Sequence, residues 1–183
     1  WTDARKDGET QRLHEKFPSV PFKKVKARAL NGLEKVAVVR APIERVRSCY
    51  TNKVIKQQVL AEPKVEKALV AAGLSTMPSF EDFVLHLDGY RAASGIVRRH
   101  TELLSHWLGE DASFYDRLFD IKDLSQLQQL VAARVKGLDA VIPHRNMSPA
   151  TALIEELSMQ AKAAINERFK DDVIQYGHVF LKT

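Results

Sequence analysis

The chain has 183 residues, of which 45% are hydrophobic and 28% charged, and a formal net charge of +5. That balance belongs to a folded globular domain and excludes a disordered or low-complexity chain. No apolar run approaches the ~18 residues that a membrane-spanning helix needs. The first residues show no secretory leader pattern. A single cysteine, Cys49, cannot form an internal disulfide, which points to a reducing, cytoplasmic setting.

In chain order, Lys23, Lys24, Lys26 and Arg28 make the first basic cluster. Such a run reads as solvated surface or as a face for an anionic partner. The β-branched run from Lys35 to Arg40, preceded by Asn31-Gly32, predicts a strand buried on both faces, as in a parallel sheet. Pro42 suits the first turn of a helix. Ile43, Val46, Tyr50 and Val54 then recur as one apolar stripe.

Pro63 to Ala72 reads as a short helix stopped by Gly73. Ser79 with Asp82 opens a helix bearing Phe80, Phe83, Val84 and Leu87. Arg91 to Leu108 is helical in part, interrupted near Gly95, and holds a second basic cluster at Arg98, Arg99 and His100. Leu118 to Ile121 predicts a short strand. Asp123 caps a helix running to Lys136 and closed by Gly137, and Ile142 to Pro149 is a loop. Ser158 starts a final helix ending near Tyr176-Gly177. Strands alternating with helices, with helices in the majority, predict one α/β domain over 1–183.

The chemistry concentrates between Arg40 and Tyr50. Arg40 leaves the carboxyl end of a strand, where open α/β sheets bind ligands. The following helix start offers free N–H groups and the positive end of its dipole. At 100° per residue, Arg45, Ser48 and Asn52 share the face opposite the apolar stripe. The spacing therefore predicts a phosphate site. The competing reading, salt-bridged surface arginines and a solvent-facing Ser48, stays open on geometry alone. Arg47 falls on the apolar side, where only a rim position accounts for it.

The pattern Arg-x-Pro-x-x-Arg-x-x-Ser-x-Tyr at Arg40, Pro42, Arg45, Ser48 and Tyr50 resembles the 3′-phosphate-binding motif of carbohydrate-type sulfotransferases and their bacterial relatives. Those enzymes use PAPS (3′-phosphoadenosine 5′-phosphosulfate) as sulfonate donor and release 3′,5′-adenosine bisphosphate. The resemblance implies that Arg40 and Ser48 bind the 3′-phosphate and that the second arginine, Arg45, is structural. Ala41 stands where the family usually has aspartate or asparagine; the change loosens the turn without removing a ligand. Two more stretches are similar to the family by order and spacing. One runs through His100 or His106, Tyr115-Asp116, Phe119 to Ile121 and Asp123-Leu124. The other runs from His144-Arg145 through Leu157-Ser158 to Tyr176-Gly177-His178, and makes Arg145 a candidate second nucleotide contact.

The resemblance implies a P-loop-like sulfotransferase fold, with a parallel sheet flanked by many helices. It implies sulfonate transfer to a hydroxyl of a carbohydrate or glycolipid-like acceptor, with no metal and no nucleic acid. Such enzymes also need a Lys-, Gly-, Ser- and Thr-rich loop that cradles the 5′-phosphosulfate. No segment resembles it, and family order places it before Trp1. The expectation is an N-terminally truncated chain, inactive alone, with a degenerate homologue as the alternative. In-line transfer also requires a general base. His14 is the one histidine before the 3′-phosphate motif and so the candidate; otherwise it is a polar residue on an N-terminal helix.

His100 and His106, six residues apart, share no helical face, so no zinc pair is expected; either can line an acceptor cleft or be structural. Trp107 can stack on a sugar or fill a core, and Cys49 reads as buried filler. Two other functions compete: a nucleotide or sugar kinase built on the same strand-to-helix site, and a helical basic module for nucleic acid or acidic polymer. The first needs a P-loop lysine and acidic magnesium ligands. The second sits poorly with a buried strand feeding the Arg-Pro-Arg-Ser helix.

Overall fold

The computed structural model describes residues 19–135 and 157–181. Strand β1 is Val36–Val39, and it pairs in parallel with β2, Arg117–Asp120, in the register Val36 to Arg117 through Val39 to Asp120. A side-chain clip sets the start of this register. The Lys35 amide donates to Asp116 Oδ2 at 2.7 Å, and Lys35 Nζ lies 3.0 Å from the same oxygen. The hydrogen bond from that amide, the largest cause, holds the Asp116 carboxyl below its ordinary value. Tyr115 anchors the same approach by donating to the Leu108 carbonyl at 2.9 Å.

Burial of β1 departs from expectation. Ala37 and Val39 are buried, while Val36 and Val38 are each 41% exposed. Among the described residues, helices therefore cover one face of the strand and not both. A continuous β-branched run does not separate these two cases, because valine fits a covered and an open face alike.

Helix α1, Pro42–Cys49, follows β1 directly, with Pro42 in its first turn. It runs on into a π-helical segment, Tyr50–Lys56, capped by Gln57, and the next residue, Gln58, takes the left-handed region (φ 49°) before a short turn at Val59–Ala61. The predicted stripe faces the core: Val46 and Val54 are buried, and Tyr50 packs on the rings of Phe80 and Phe83.

The next elements are α2 (Pro63–Ala71), α3 (Phe80–Leu85), α4 (Leu87–Ala93), α5 (Gly95–His100) and α6 (Leu104–Leu108). Ser79 caps α3 as its sequence predicts, accepting from the Asp82 amide at 3.0 Å. The stretch from Arg91 to Leu108 breaks twice. At Ser94 the chain is extended, and the serine hydroxyl caps α5 through the Val97 amide. At Thr101 the hydroxyl bonds back to the Val97 carbonyl at 2.8 Å, and Arg91 takes the Thr101 carbonyl at 2.6 Å. Both exits satisfy groups that a continued helix would have paired internally.

After β2 come α7 (Ser125–Arg134), α8 (Met159–Arg168) and α9 (Lys170–Phe180). Ser158 caps α8 through the Ala161 amide, and the last helix is broken at Phe169 and runs beyond Gly177 to Phe180. The predicted end of α7 at Lys136-Gly137 and the loop from Ile142 to Pro149 lie outside the described residues.

The core divides in two. The larger cluster packs α1, the π segment and α2 to α5 against α8 around Phe83, Tyr90 and Phe169. The smaller packs Val39 of β1 with Leu104 against Tyr176, Val179 and Phe180 of α9. Among the described residues no helix is long and apolar enough to cross a membrane.

Candidate functional site

Arg40 lies at the carboxyl end of β1, half-buried. Ala41 is the N-cap of α1 and has no side chain to bond the first-turn amides; only its carbonyl is used, by the Glu44 and Arg45 amides at 3.1 Å each. Among the described residues the Arg40 guanidinium has neither a hydrogen-bond nor an ion-pair partner. It stands close enough to Arg45 for its charge to act on that residue. An unpaired, partly desolvated guanidinium beside a second one is unfavourable without an anion.

Arg45 does not turn outward with Ser48. Its guanidinium lies 3.3 Å from Asp172 Oδ2 of α9, donates to the Glu102 carbonyl, and sits over the Phe169 ring at 5.4 Å. Asp172 is fully buried, and its other oxygen accepts from the Leu104 amide at 2.7 Å, which closes the start of α6. Burial pushes the Arg45 guanidinium down and the Asp172 carboxyl up, each against the pull of its partner. Desolvation thus dominates both halves of this pair. The helical-face argument grouped Arg45 with Ser48 and Asn52; the structure assigns Arg45 to the junction of α1, α6 and α9.

Ser48 is half-buried. Its hydroxyl oxygen accepts from Asn52 Nδ2 at 3.4 Å, and the same amide donates to the Ser48 carbonyl at 3.1 Å. An accepting hydroxyl keeps its own proton for another acceptor. Arg47 has a partner that sequence reasoning missed: Glu44, 4.0 Å away, which also pairs with Lys122 of the β2–α7 turn at 2.7 Å. His14 and Arg145 lie outside the described residues. Cys49 is buried, and burial lifts its thiol to about 12, so it is no nucleophile.

A second feature lies beyond the π segment. A cleft of about 700 Å³ is lined by Lys53 of the π segment together with Arg98, Arg99, His100, His106 and Trp107 of α5 and α6. His100 and His106 sit on different short helices, α5 and α6, yet meet at this cleft. Helical phase could not relate them because the helix breaks between them at Thr101. Crowding by protein atoms first, then the charges of Lys53 and Arg99, hold the His100 imidazole below its ordinary value. His106 meets Trp107 edge-on at 4.7 Å. Sequence reading had singled out the α5 basic cluster and Trp107, but had no signal for Lys53, whose direction depends on the π register. Among the described residues no group of three or more His, Cys, Asp and Glu is placed to hold a metal ion. The N-terminal basic cluster is exposed, and no ion pair forms at Lys23, Lys24, Lys26 or Arg28 among the described residues.

A family model described as "Sulfotransferase family" matches residues 2–177. No curated protein and no solved structure matches the chain.

Proposed function

The chain belongs to the sulfotransferase family, and on that premise we propose that it carries a sulfonate group from PAPS to a hydroxyl of a carbohydrate or glycolipid-like acceptor. The observation that carries the reading is Arg40: a half-buried guanidinium at the carboxyl end of β1, uncommitted among the described residues and next to an uncapped helix start. In this reading β1 and β2 belong to a P-loop-like parallel sheet, and the 3′-phosphate of the donor is the anion that Arg40 awaits.

Each residue has a distinct task. Arg40 supplies a charge-assisted, potentially bidentate contact to phosphate oxygens. Ser48 donates its O–H to the same phosphate while Asn52 occupies its lone pair. Arg45, committed to Asp172, fixes α1 against α9 so that the arginine and the hydroxyl keep their spacing. Arg145 is the second nucleotide contact. No metal takes part.

The reaction balances without a redox partner. The acceptor oxygen forms a new S–O bond in line with the departing oxygen. The bond between sulfur and the bridging oxygen breaks, and that oxygen stays with 3′,5′-adenosine bisphosphate. The hydroxyl proton passes to a base, for which a near-neutral histidine is suited; His14 is the candidate.

Calorimetric titration with 3′,5′-adenosine bisphosphate tests the reading. Losing one hydrogen bond to a charged group costs about 1.5–3 kcal/mol, or about 10- to 100-fold in affinity. Arg40→Ala is expected to reach that range and Ser48→Ala to stay near its lower end. Unchanged affinity in Arg40→Ala would remove the support for the assignment.

A further inference from the structure

Arg40 stays open although a carboxylate stands close to it. Glu44 is the third residue of α1, after the N-cap Ala41. A carboxylate at that position ordinarily reaches back over the start of its helix, which here is the side of Arg40. Among the described residues Glu44 instead pairs with Lys122 at 2.7 Å and, more weakly, with Arg47 at 4.0 Å. Its side chain is only 17% exposed, so little water is left to offset its charge.

Lys122 comes to this corner through the sheet. The Ile121 amide donates to the Val39 carbonyl at 3.0 Å, so the turn after β2 passes directly beside the exit of β1. Lys122 follows Ile121 as Arg40 follows Val39. The Lys122 amide donates to Asp120 Oδ1 at 3.0 Å, which fixes the turn. Its ammonium, on a side chain 60% exposed, reaches in from solvent to cover Glu44. The carboxylates around Arg45 are treated alike: Asp172 is held by Arg45 and the Leu104 amide, and Glu102 by Arg91 at 3.1 Å. Each of these acidic groups has another cation, and Arg40 is left with none of them.

A carboxylate and a phosphate compete for one guanidinium, because both make the same charge-assisted bonds. We propose that Lys122 is a positioning residue of the phosphate site, which keeps Glu44 away from Arg40 and so leaves the guanidinium open to an anion. The proposal rests on the 3′-phosphate reading of Arg40. It gives the β2–α7 turn a part in nucleotide binding that acts through Glu44.

Lys122→Met removes the ammonium and keeps the length of the side chain. Calorimetry on the full chain is expected to show 3′,5′-adenosine bisphosphate binding about fivefold more weakly to this variant, the scale of one partly buried ion pair. Adenosine 5′-monophosphate, which lacks the 3′-phosphate, should lose less than about twofold. Adding Glu44→Gln should restore the bisphosphate affinity. In the unaltered background Glu44→Gln should have little effect, because Lys122 already holds that carboxylate. This dependence on background separates the proposal from a general loss of positive field, for which the two substitutions would act additively.

Unchanged bisphosphate affinity in Lys122→Met, an equal loss for both nucleotides, or an additive pair each overturns the proposal. Thermal melting supplies a readout that needs no nucleotide. Arg40→Gln should lower the midpoint by about 2 °C in the Lys122→Met background, where Glu44 is released to Arg40, and by less than about 1 °C in the unaltered one. Equal shifts in the two backgrounds overturn the proposal too. If the unaltered chain does not bind the bisphosphate but the shifts differ, the hold on Glu44 stands and the 3′-phosphate reading falls.

Discussion

Two regions gather arginines beside acidic groups, and they use them in opposite ways. At the junction of α1 and α9, Arg45 meets Asp172 in a corner where the carboxylate is fully buried and each group has charged or polar partners on another element. Around the cleft, Arg98 and Arg99 stand exposed with no ion-pair partner among the described residues. Arg40 lies between these extremes, half-buried like the first and uncommitted like the second. The comparison teaches that the same side chain is architecture where the protein completes its bonding and recognition where it does not.

The largest effect that would break this contrast is expected at the buried corner. Removing one member of a buried ion pair strands the other, at a cost of about 3–5 kcal/mol. Asp172→Ala should therefore lower the thermal midpoint sharply. Replacing both partners, as Arg45→Met with Asp172→Leu, should recover most of the loss. A small effect of Asp172→Ala in calorimetric melting would show the corner to be less important than its burial implies.

Next in size is Arg40, whose loss should impair nucleotide binding by the margin given above while changing stability by less than about 0.5 kcal/mol, as for an uncommitted side chain. A stability loss comparable to that of Asp172→Ala would move Arg40 into the architectural class.

The smallest effect concerns His100. Its folded value lies below the ordinary histidine value of about 6.5, so folding favours the neutral ring. The associated stability is present above the ordinary value and is lost as pH falls through the folded one. His100→Gln should flatten the stability profile modestly in that acidic window. Identical profiles for the two proteins would mean that neither burial, the larger cause, nor the charges of Lys53 and Arg99 act on this ring.

What the sequence made legible follows from the range of the forces involved. Local signals carried the strand at Val36–Val39, the proline-led helix after it, and the Ser79 and Ser158 caps, because each is decided within a few residues. The breaks at Thr101 and Phe169 were not legible. They depend on tertiary bonds such as the grip of Arg91 on the Thr101 carbonyl, which leave no periodic trace. The same holds for the site. Arg40 and Ser48 are readable as a motif, whereas the burial of Arg45 depends on Asp172, which belongs to a helix distant in sequence. The open face of β1 was misread because Val36 and Val38 have the side chains of a covered strand.

The most direct test of the central claim compares two nucleotides that differ only at the ribose. If the strand-exit arginine recognises a 3′-phosphate, the unaltered chain should bind 3′,5′-adenosine bisphosphate at least tenfold more tightly than adenosine 5′-monophosphate, and Arg40→Ala should erase the difference. Equal affinities in the unaltered chain would contradict the account.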